Sequence, residues 1–389
     1  MTSFENTEIA FKSKSDSQLK KAYLLFKIIS FPVIVKIGKI ITPIALKLRL
    51  PIKGLIKSTI FSQFCGGESI EECSKTIENL GKFGVGTILD YSVEGQESLE
   101  VVENTVQEII KTIERGANDP NIPFAVFKVT GVASFSLLEK VSSNVSLTEV
   151  EKQDFQEIEL RVERICQKAY DCNLPVFIDA EESWIQQAID DIAFKMMCKF
   201  NKERAIVYNT LQMYRWDRID YLKFCLDEAK NHRLIYGVKL VRGAYMEKER
   251  LRAEKMGYKS PIQATQEDSD KDFNLALEVI CENQDYFALC AGTHNEKSSL
   301  LLTELMQKNG ISSTNNRFYF AQLLGMSDHI SFNLSNSKFN VAKYVPYGPV
   351  KEVLPYLLRR ADENTSVAGQ TGRELSLIQS EKRRRSSLK

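Results

Sequence analysis

The most unusual absence in this 389-residue sequence is of acidic side chains between Ser17 and Gly67. That stretch carries nine lysines and arginines among leucine, isoleucine, valine and phenylalanine. A basic and apolar surface of this kind is attracted to anionic lipid. Helices that pack on a main domain while their lysines reach solvent would have the same composition. Both interpretations stay open, and peripheral membrane contact through residues 17–67 is one hypothesis.

Long uninterrupted hydrophobic runs are also lacking. Residues 22–46 are apolar, but lysines interrupt them and Pro32 and Pro43 break the pattern, so a spanning helix is not expected. Residues 1–21 are polar and mixed in charge, without the features of a secretory or transit peptide. We therefore expect a cytoplasmic protein, for which the inner face of the membrane is one location considered and the mitochondrial matrix face is the alternative.

Histidine is scarce, and the cysteines are not arranged for metal binding. The chain has three histidines and eight cysteines, with no CxxC pair and no Cys/His cluster. We expect reduced thiols, no disulfide framework and no metal site. A net charge of +1, with 43% hydrophobic and 26% charged residues, is ordinary for a globular protein and does not indicate a nucleic-acid partner.

The glycine fingerprint of a dinucleotide-binding sheet, GxGxxG after a first strand, is missing. Instead, eight short β-rich runs alternate with amphipathic stretches, and this count is typical of a (β/α)₈ barrel. The runs are residues 85–90, 124–130, 175–180, 205–211, 235–241, 286–291, 317–322 and 340–344. We predict an α/β protein with an N-terminal helical segment (1–82), a distorted barrel (83–370), and a C-terminal helix and basic tail (371–389).

Polar side chains stand at the ends of these runs, where barrel enzymes collect their chemistry. They are Asp90, Glu94, Lys128, Asp179, Glu181, Glu182, Gln212, Lys239, Arg242, Thr293, His294, Asn295, Gln322 and Tyr344. Lys128 and Asp179 lie in or beside apolar runs, where a charge must be paired or face a cavity. A structural ion pair is one possibility, and a Schiff-base nucleophile at Lys128 or Lys239 is another.

Two further patterns indicate an anionic ligand. A strand ending in a Pro/Gly turn leads to a predicted helix in which Tyr356 precedes Arg359 by three residues and Arg360 by four. Guanidinium groups match the two oxygens of a carboxylate, so this helix turn predicts a carboxylate site. Gly243-Ala244 follows the fifth run and would allow a flat ring or a phosphate to approach the backbone.

Four segments, in their order and spacing, resemble the proline dehydrogenase family. They are Lys239-Leu240-Val241-Arg242-Gly243-Ala244-Tyr245, Gly292-Thr293-His294-Asn295, Lys343-Tyr344-Val345-Pro346-Tyr347-Gly348 and Tyr356-Leu357-Leu358-Arg359-Arg360. The likeness runs from about Gly84 to Val367 and is closest to the single-function enzymes. It implies an FAD-binding barrel that oxidises L-proline to Δ1-pyrroline-5-carboxylate, the first step of proline catabolism to glutamate. It also implies that hydride passes from C5 of proline to the flavin N5 and that the electrons pass to membrane quinone.

The resemblance also implies a role for each matching residue. The catalytic group is Lys128, Asp179, Arg359 and Arg360, with Asp179 orienting Lys128. The substrate-binding group is Lys128, Tyr245, Leu323, Tyr344, Tyr356, Arg359 and Arg360. The cofactor-binding group is Gln212, Lys239, Val241, Arg242, Gly243, Ala244, Thr293, His294, Asn295, Gln322 and Glu363. Glu94 is expected to gate the site through Arg359, and Lys239 replaces an arginine that some members place beside the flavin N5.

Several alternatives remain at this point. A flavin barrel of the methylenetetrahydrofolate reductase kind would not need both arginines, a Schiff-base aldolase would bind no flavin, and an interaction protein with an inactive barrel would have no turnover. Hydroxyproline dehydrogenases resemble this sequence but carry a small residue at the position of Tyr344. Because a tyrosine leaves little room for a 4-hydroxyl group, we expect proline as substrate.

Overall fold

Eight parallel strands form a closed barrel in chain order in the computed structural model, which describes residues 3–47, 51–92, 98–366 and 370–388. The strands are β1 Val85–Tyr91, β2 Phe124–Lys128, β3 Val176–Asp179, β4 Val207–Gln212, β5 Tyr236–Val241, β6 Phe287–Gly292, β7 Phe318–Leu323 and β8 Val341–Tyr347. Each overlaps the run predicted for it. The prediction of a (β/α)₈ barrel is therefore confirmed.

Helices precede, separate and follow the strands. They are α1 Thr7–Ala10, α2 Asp16–Ile29, α3 Pro32–Lys47, α4 Lys53–Ile56, α5 Ser62–Phe64, α6 Ile70–Gly81, α7 Leu99–Ala117, α8 Phe135–Ser142, α9 Glu149–Asp171, α10 Ser183–Phe200, α11 Arg218–His232, α12 Met246–Met256, α13 Gln266–Glu282, α14 Glu296–Lys308, α15 Asp328–Asn336, α16 Leu354–Ser366 and α17 Gln370–Ser387. A π-helical turn at Lys57–Phe61 joins α4 to α5. None of the helices in the described ranges is long and apolar enough to cross a membrane.

Local sequence explains where many helices begin and end. Ser15 and Thr148 form capping boxes at the starts of α2 and α9, where each side chain accepts a hydrogen bond from a free backbone N–H. Gly257 ends α12 in the left-handed region, at φ 73°. These boundaries follow from short-range chemistry, so the sequence pattern could locate them.

The chain divides into two compact units, Met1–Val93 with Gln322–Lys389, and Glu94–Ala321. In the second unit, aromatic rings from several strands pack around Phe124. Its ring lies 4.4 Å from that of Phe177 and 4.8 Å from that of Tyr319, measured between centroids. Tyr208 adds an edge contact to Phe177 at 5.3 Å. The rings fill space between strands that would otherwise be a cavity.

In the first unit, β1 and β8 pair in parallel from Val85↔Val341 to Tyr91↔Tyr347. Lys343 of β8 is fully buried, and its Nζ lies 3.0 Å from an Asp328 carboxylate oxygen. Asp328 also pairs with Lys14 at 3.1 Å. A buried ammonium is tolerated because this carboxylate compensates it.

The same unit has a hydrophobic cluster to which α2, α16 and α17 all contribute. Phe26 of α2, Tyr356 and Leu357 of α16, and Leu377 of α17 are all buried in it. The helix carrying the predicted carboxylate site is therefore fixed by packing along one face.

Candidate active site

Polar side chains of the second unit lie at the carboxyl ends of neighbouring strands. β2 ends at Lys128 and β3 at Asp179, and these two residues are partners in the register of the parallel pair. Lys128 is half-buried and Asp179 is buried. The sequence predicted both at strand ends, and the structure places them next to each other along the sheet.

Lys239 of β5 forms a buried ion pair with Asp179. Only 7% of the Lys239 side chain and 12% of the Asp179 side chain are exposed. The Lys239 ammonium also lies 5.2 Å from the centroid of the Phe177 ring. This contact with Asp179 occupies the Lys239 amine, so a Schiff-base role for Lys239 is disfavoured.

Glu181 is a second buried carboxylate, two residues beyond β3. It accepts hydrogen bonds from the Thr130 backbone N–H at 3.0 Å and from the Thr130 hydroxyl. Burial raises the pKa of Glu181 from 4.5 to about 7, against the opposing effects of the Thr130 hydrogen bonds and of nearby Lys128. The carboxyl group therefore titrates near neutral pH.

Arg242, just after β5, is bound on all three guanidinium nitrogens. Its Nε donates to Asp270 at 2.6 Å, and the two terminal nitrogens donate to the hydroxyls of Thr293 at 2.7 Å and Ser298 at 2.9 Å. The guanidinium carbon lies 4.4 Å from the centroid of the Phe273 ring. Burial lowers the pKa of Arg242, and Asp270 opposes that effect. These contacts fix the direction of the guanidinium group.

The turn after β6 is organised by its own side chains. The Thr293 hydroxyl accepts the Asn295 N–H at 3.1 Å, and Asn295 caps α14 by accepting the Ser298 N–H at 3.1 Å. His294, between them, is half-buried. The turn presents a hydroxyl, an imidazole and an amide within three residues.

Gly243 and Ala244 are exposed beside this network. Gly243 has φ 137°, and a Cβ there would stand 2.5 Å from the Tyr214 ring. Only glycine fits this position. Open backbone next to Lys239, Arg242 and Thr293 suits a flat cofactor with anionic groups, so these residues fit FAD.

The remaining predicted cofactor residues lie on or beside the strands. Gln212 is the last residue of β4 and is opposite Val241 in the β4–β5 register. Gln322, near the end of β7, is buried, and its side-chain oxygen accepts the Ser331 hydroxyl at 2.7 Å. The Glu363 side chain and all of Glu94 lie outside the described part of the chain.

The predicted substrate residues of the first unit lie on α16, β7 and β8. Arg360 is buried, with its guanidinium carbon 5.1 Å from the centroid of the Tyr356 ring, and Arg359 is half-buried. Tyr344 of β8 and Leu323 of β7 are half-buried. Tyr245, the remaining predicted substrate residue, is half-buried just before α12 in the second unit.

Sequence reasoning missed the residues that support Arg242. Asp270 lies on α13 and Ser298 on α14, and neither is at the end of a strand. No local pattern marks an acidic residue on a helix as the partner of an arginine 28 positions earlier. The sequence predicts Glu181 at the end of a strand, but no local pattern indicates that its side chain is buried.

Comparisons with known proteins identify the family of this chain. A family model described as proline dehydrogenase matches residues 73–373. Proline dehydrogenase 1, mitochondrial, from Dictyostelium discoideum is 33% identical over 98% of this chain and 74% of its own length. The hydroxyproline dehydrogenase of Xenopus laevis is 30% identical over 96% of this chain and 88% of its own.

Among solved structures, proline utilization A from Bdellovibrio bacteriovorus, inactivated by N-propargylglycine, has a TM-score of 0.72. It is 18% identical, and the match covers 92% of this chain and 38% of that one. This likeness supports the barrel fold. The family model and the relatives exclude the methylenetetrahydrofolate reductase interpretation, and the chain belongs to the proline dehydrogenase family.

Proposed function

We propose that this chain oxidises L-proline to Δ1-pyrroline-5-carboxylate with FAD as its cofactor and a membrane quinone as electron acceptor. The observation that carries the choice of substrate is the arginine pair of α16. Arg360 is buried against Tyr356, and Arg359 is the next residue in the same helix. Guanidinium groups match the two oxygens of a carboxylate, and an amino acid substrate would supply one.

Substrate binding follows from matching proline to these side chains. Proline has a carboxylate, which Arg359, Arg360 and Lys128 would bind, and apolar ring carbons, which Tyr245, Leu323, Tyr344 and Tyr356 would surround. Asp179 would orient Lys128. The ring nitrogen must be the free amine, because its lone pair is needed when hydride leaves C5. Fixing the carboxylate positions C5, and orientation of this kind contributes on the order of 7 kcal/mol at best.

The cofactor would be held by the strand-end donors already described. Lys239, Arg242, Thr293 and His294 supply cationic and polar groups, and Gly243 allows close approach. Further contacts would come from Gln212, Val241, Ala244, Asn295, Gln322 and Glu363. When bound, FAD supplies the redox chemistry by accepting the hydride. The protein's own part is to bind proline, orient it and keep Arg242 fixed through Asp270.

Two further assignments rest on the family resemblance. Glu94 is proposed to pair with Arg359 when the site closes, so Glu94→Ala would raise KM for proline more than it lowers kcat. The quinone would be reached at a bilayer, with peripheral contact through residues 17–67. The proposed location is the inner face of a bacterial membrane, and the mitochondrial matrix face is the alternative.

The decisive experiment is an anaerobic absorbance spectrum of the FAD-loaded protein before and after L-proline is added. We expect proline to bleach the flavin and trans-4-hydroxyproline to bleach it far more slowly. Tyr344→Ser should bring the two bleaching rates closer together, because it opens space for the hydroxyl group of trans-4-hydroxyproline. Arg359→Met should raise the proline concentration needed to bleach the flavin. Arg164→Met, which removes an exposed arginine of α9, should leave that concentration unchanged.

Two results would contradict the proposal. Flavin that binds but stays oxidised in proline would show that the substrate is wrong. A protein that binds no flavin would return the aldolase and the inactive barrel to consideration.

A further inference from the structure

The carboxylate of Glu249 is fully buried on α12, and the proposed reaction gives it no role. Its two oxygens accept hydrogen bonds from the backbone N–H and the hydroxyl of Ser183, both at 2.6 Å. Ser183 is the first residue of α10 and lies 66 positions before Glu249 in the chain. A buried carboxylate with both oxygens bound to one residue forms a fixed contact between the two helices.

This contact supplies a cap that α10 lacks in its own sequence. Glu182 occupies the N-cap position, but its side chain accepts no hydrogen bond from the helix. The first N–H groups of a helix have no partner within the helix, and they favour a negative charge close by. Glu249 therefore caps α10 from a different helix.

Neighbouring side chains strengthen the contact between α12 and α10. Lys248 of α12 pairs with Glu182, and Arg252 of α12 pairs with Glu139 of α8. The Trp184 ring lies against both cations, with its centroid 4.3 Å from the Arg252 guanidinium carbon and 5.6 Å from the Lys248 ammonium. Although α12 follows β5, its side chains are thus held by elements that follow β2 and β3.

The first turn of α12 connects this contact to the predicted site. Tyr245 is the N-cap of α12, and its carbonyl accepts the Glu249 N–H at 2.9 Å. Tyr245 is one of the predicted substrate residues, and Gly243 and Ala244 directly before it are predicted to contact the flavin. If α12 moved away from α10, these residues would move with it, because a single helix turn joins them to Glu249.

We propose that Glu249 is a positioning residue. By capping α10 it fixes the first turn of α12, and through that turn it fixes the position of Tyr245. The inference rests on the proposed function, because Tyr245 affects the reaction only if proline binds beside it. Without the cap, proline should bind more weakly while hydride transfer slows less, since Tyr245 would contact ring carbons and exchanges no proton or electron.

Tryptophan fluorescence of the full chain measures the position of α12 without any turnover. The chain has two tryptophans, so Trp216→Phe leaves Trp184 as the single indole. In this background, Glu249→Leu should shift the emission to longer wavelength and increase its quenching by acrylamide, because α12 no longer covers the Trp184 ring. Glu249→Gln can still accept the Ser183 N–H and should behave like the parent. Glu254→Leu, which removes an exposed carboxylate of the same helix, is the matched control and should not change the emission.

Kinetics of the FAD-loaded protein then test whether Glu249 acts through Tyr245. Glu249→Leu should raise KM for L-proline about tenfold and lower kcat about twofold at most. Glu249→Gln should restore both constants, and Glu254→Leu should leave them unchanged. Tyr245→Ala should also raise KM. The double variant Glu249→Leu/Tyr245→Ala should have the KM of Tyr245→Ala alone, because a cap that acts only through Tyr245 has no effect once that side chain is removed.

Each other outcome overturns the inference. Unchanged Trp184 emission in Glu249→Leu would show that the cap does not hold α12, and KM effects of Glu249→Leu and Tyr245→Ala that multiply would show that Glu249 does not act through Tyr245. If Glu249→Leu does not fold, Ser183→Ala decides in both measurements, because it removes one of the two hydrogen bonds and should change emission and KM in the same directions. Flavin of the unmodified chain that proline fails to bleach contradicts the proposed function, whereas the Trp184 emission tests the cap independently of catalysis.

Discussion

At the scale of single residues, burial decides what the polar side chains of the site can do. Glu181 and Glu182 look equivalent in sequence, both directly after the third strand. In the structure, Glu181 is bound to Thr130, while Glu182 pairs with Lys248. The raised pKa of Glu181 follows from its burial, whereas Thr130 and Lys128 only moderate it.

Glu181 should make stability depend on pH. Its pKa is 4.5 in an unfolded chain and about 7 in the folded protein. Between these values the folded protein binds more protons, so its free energy of unfolding should fall as pH rises, by about 3 kcal/mol in all. Glu181→Gln keeps the Thr130 contacts and removes this titration.

Chemical unfolding of both proteins at pH 5, 6, 7 and 8 measures the effect. The difference in unfolding free energy, unmodified minus Glu181→Gln, should become more negative up to about pH 7 and then level off. If the difference in unfolding free energy does not change with pH, the pKa of Glu181 is not raised in the folded protein.

At the scale of elements, the barrel brings together residues from alternate strands. Asp179 is on β3 and Lys239 on β5, with β4 between them. In the register, Thr210 of β4 is opposite Lys239. Side chains in one layer of a parallel barrel come from alternate strands, which explains why β3 and β5 supply the two members of the ion pair.

Removing one member of that ion pair should lower the free energy of unfolding more than removing both members. Asp179→Leu leaves a buried ammonium without its carboxylate, for which we expect a loss of about 3–5 kcal/mol in unfolding free energy. Adding Lys239→Met should recover part of the loss. Unfolding in urea of the two single variants and the double variant gives the coupling energy.

An exposed pair is the appropriate control. Lys195 and Glu159 lie 2.7 Å apart, with 57% of the lysine side chain exposed. The same cycle on that pair should give less than about 1 kcal/mol. Equal coupling energies for the two pairs would mean that burial does not strengthen the Lys239–Asp179 contact.

At the scale of the whole molecule, the two ends of the chain meet in one unit. The fully buried Glu381 of α17 binds Arg384, Arg385 and the Thr7 hydroxyl of α1. Arg385 also donates to the carbonyl of Phe11 at 2.9 Å. The basic residues at the end of the chain are thus part of α17, and Arg385 connects them to the N-terminal segment.

Glu381→Gln should weaken this connection. Burial raises the pKa of Glu381, but hydrogen bonds from Arg384, Arg385 and Thr7 outweigh burial and lower this pKa below 4.5. The charged carboxylate therefore stabilises the fold above pH 4.5, and this stabilisation is lost as the pH falls through the folded-state pKa. We expect a loss of about 2 kcal/mol at neutral pH. Glu304→Gln, an exposed change on α14, should stay within about 0.5 kcal/mol. Identical unfolding midpoints for the two variants would contradict the proposed anchoring.

The sequence by itself determined the strands, the barrel and the family. Apolar runs and turn residues are local signals, so the eight strands could be placed, and the spacing of Tyr356, Arg359 and Arg360 follows from the period of a helix. Only the tertiary structure decided that Asp179 pairs with Lys239, that Asp270 holds Arg242, and that α3 turns its isoleucines outward. These contacts join residues far apart in the chain, and they depend on how the strands close and on which helix faces the core covers.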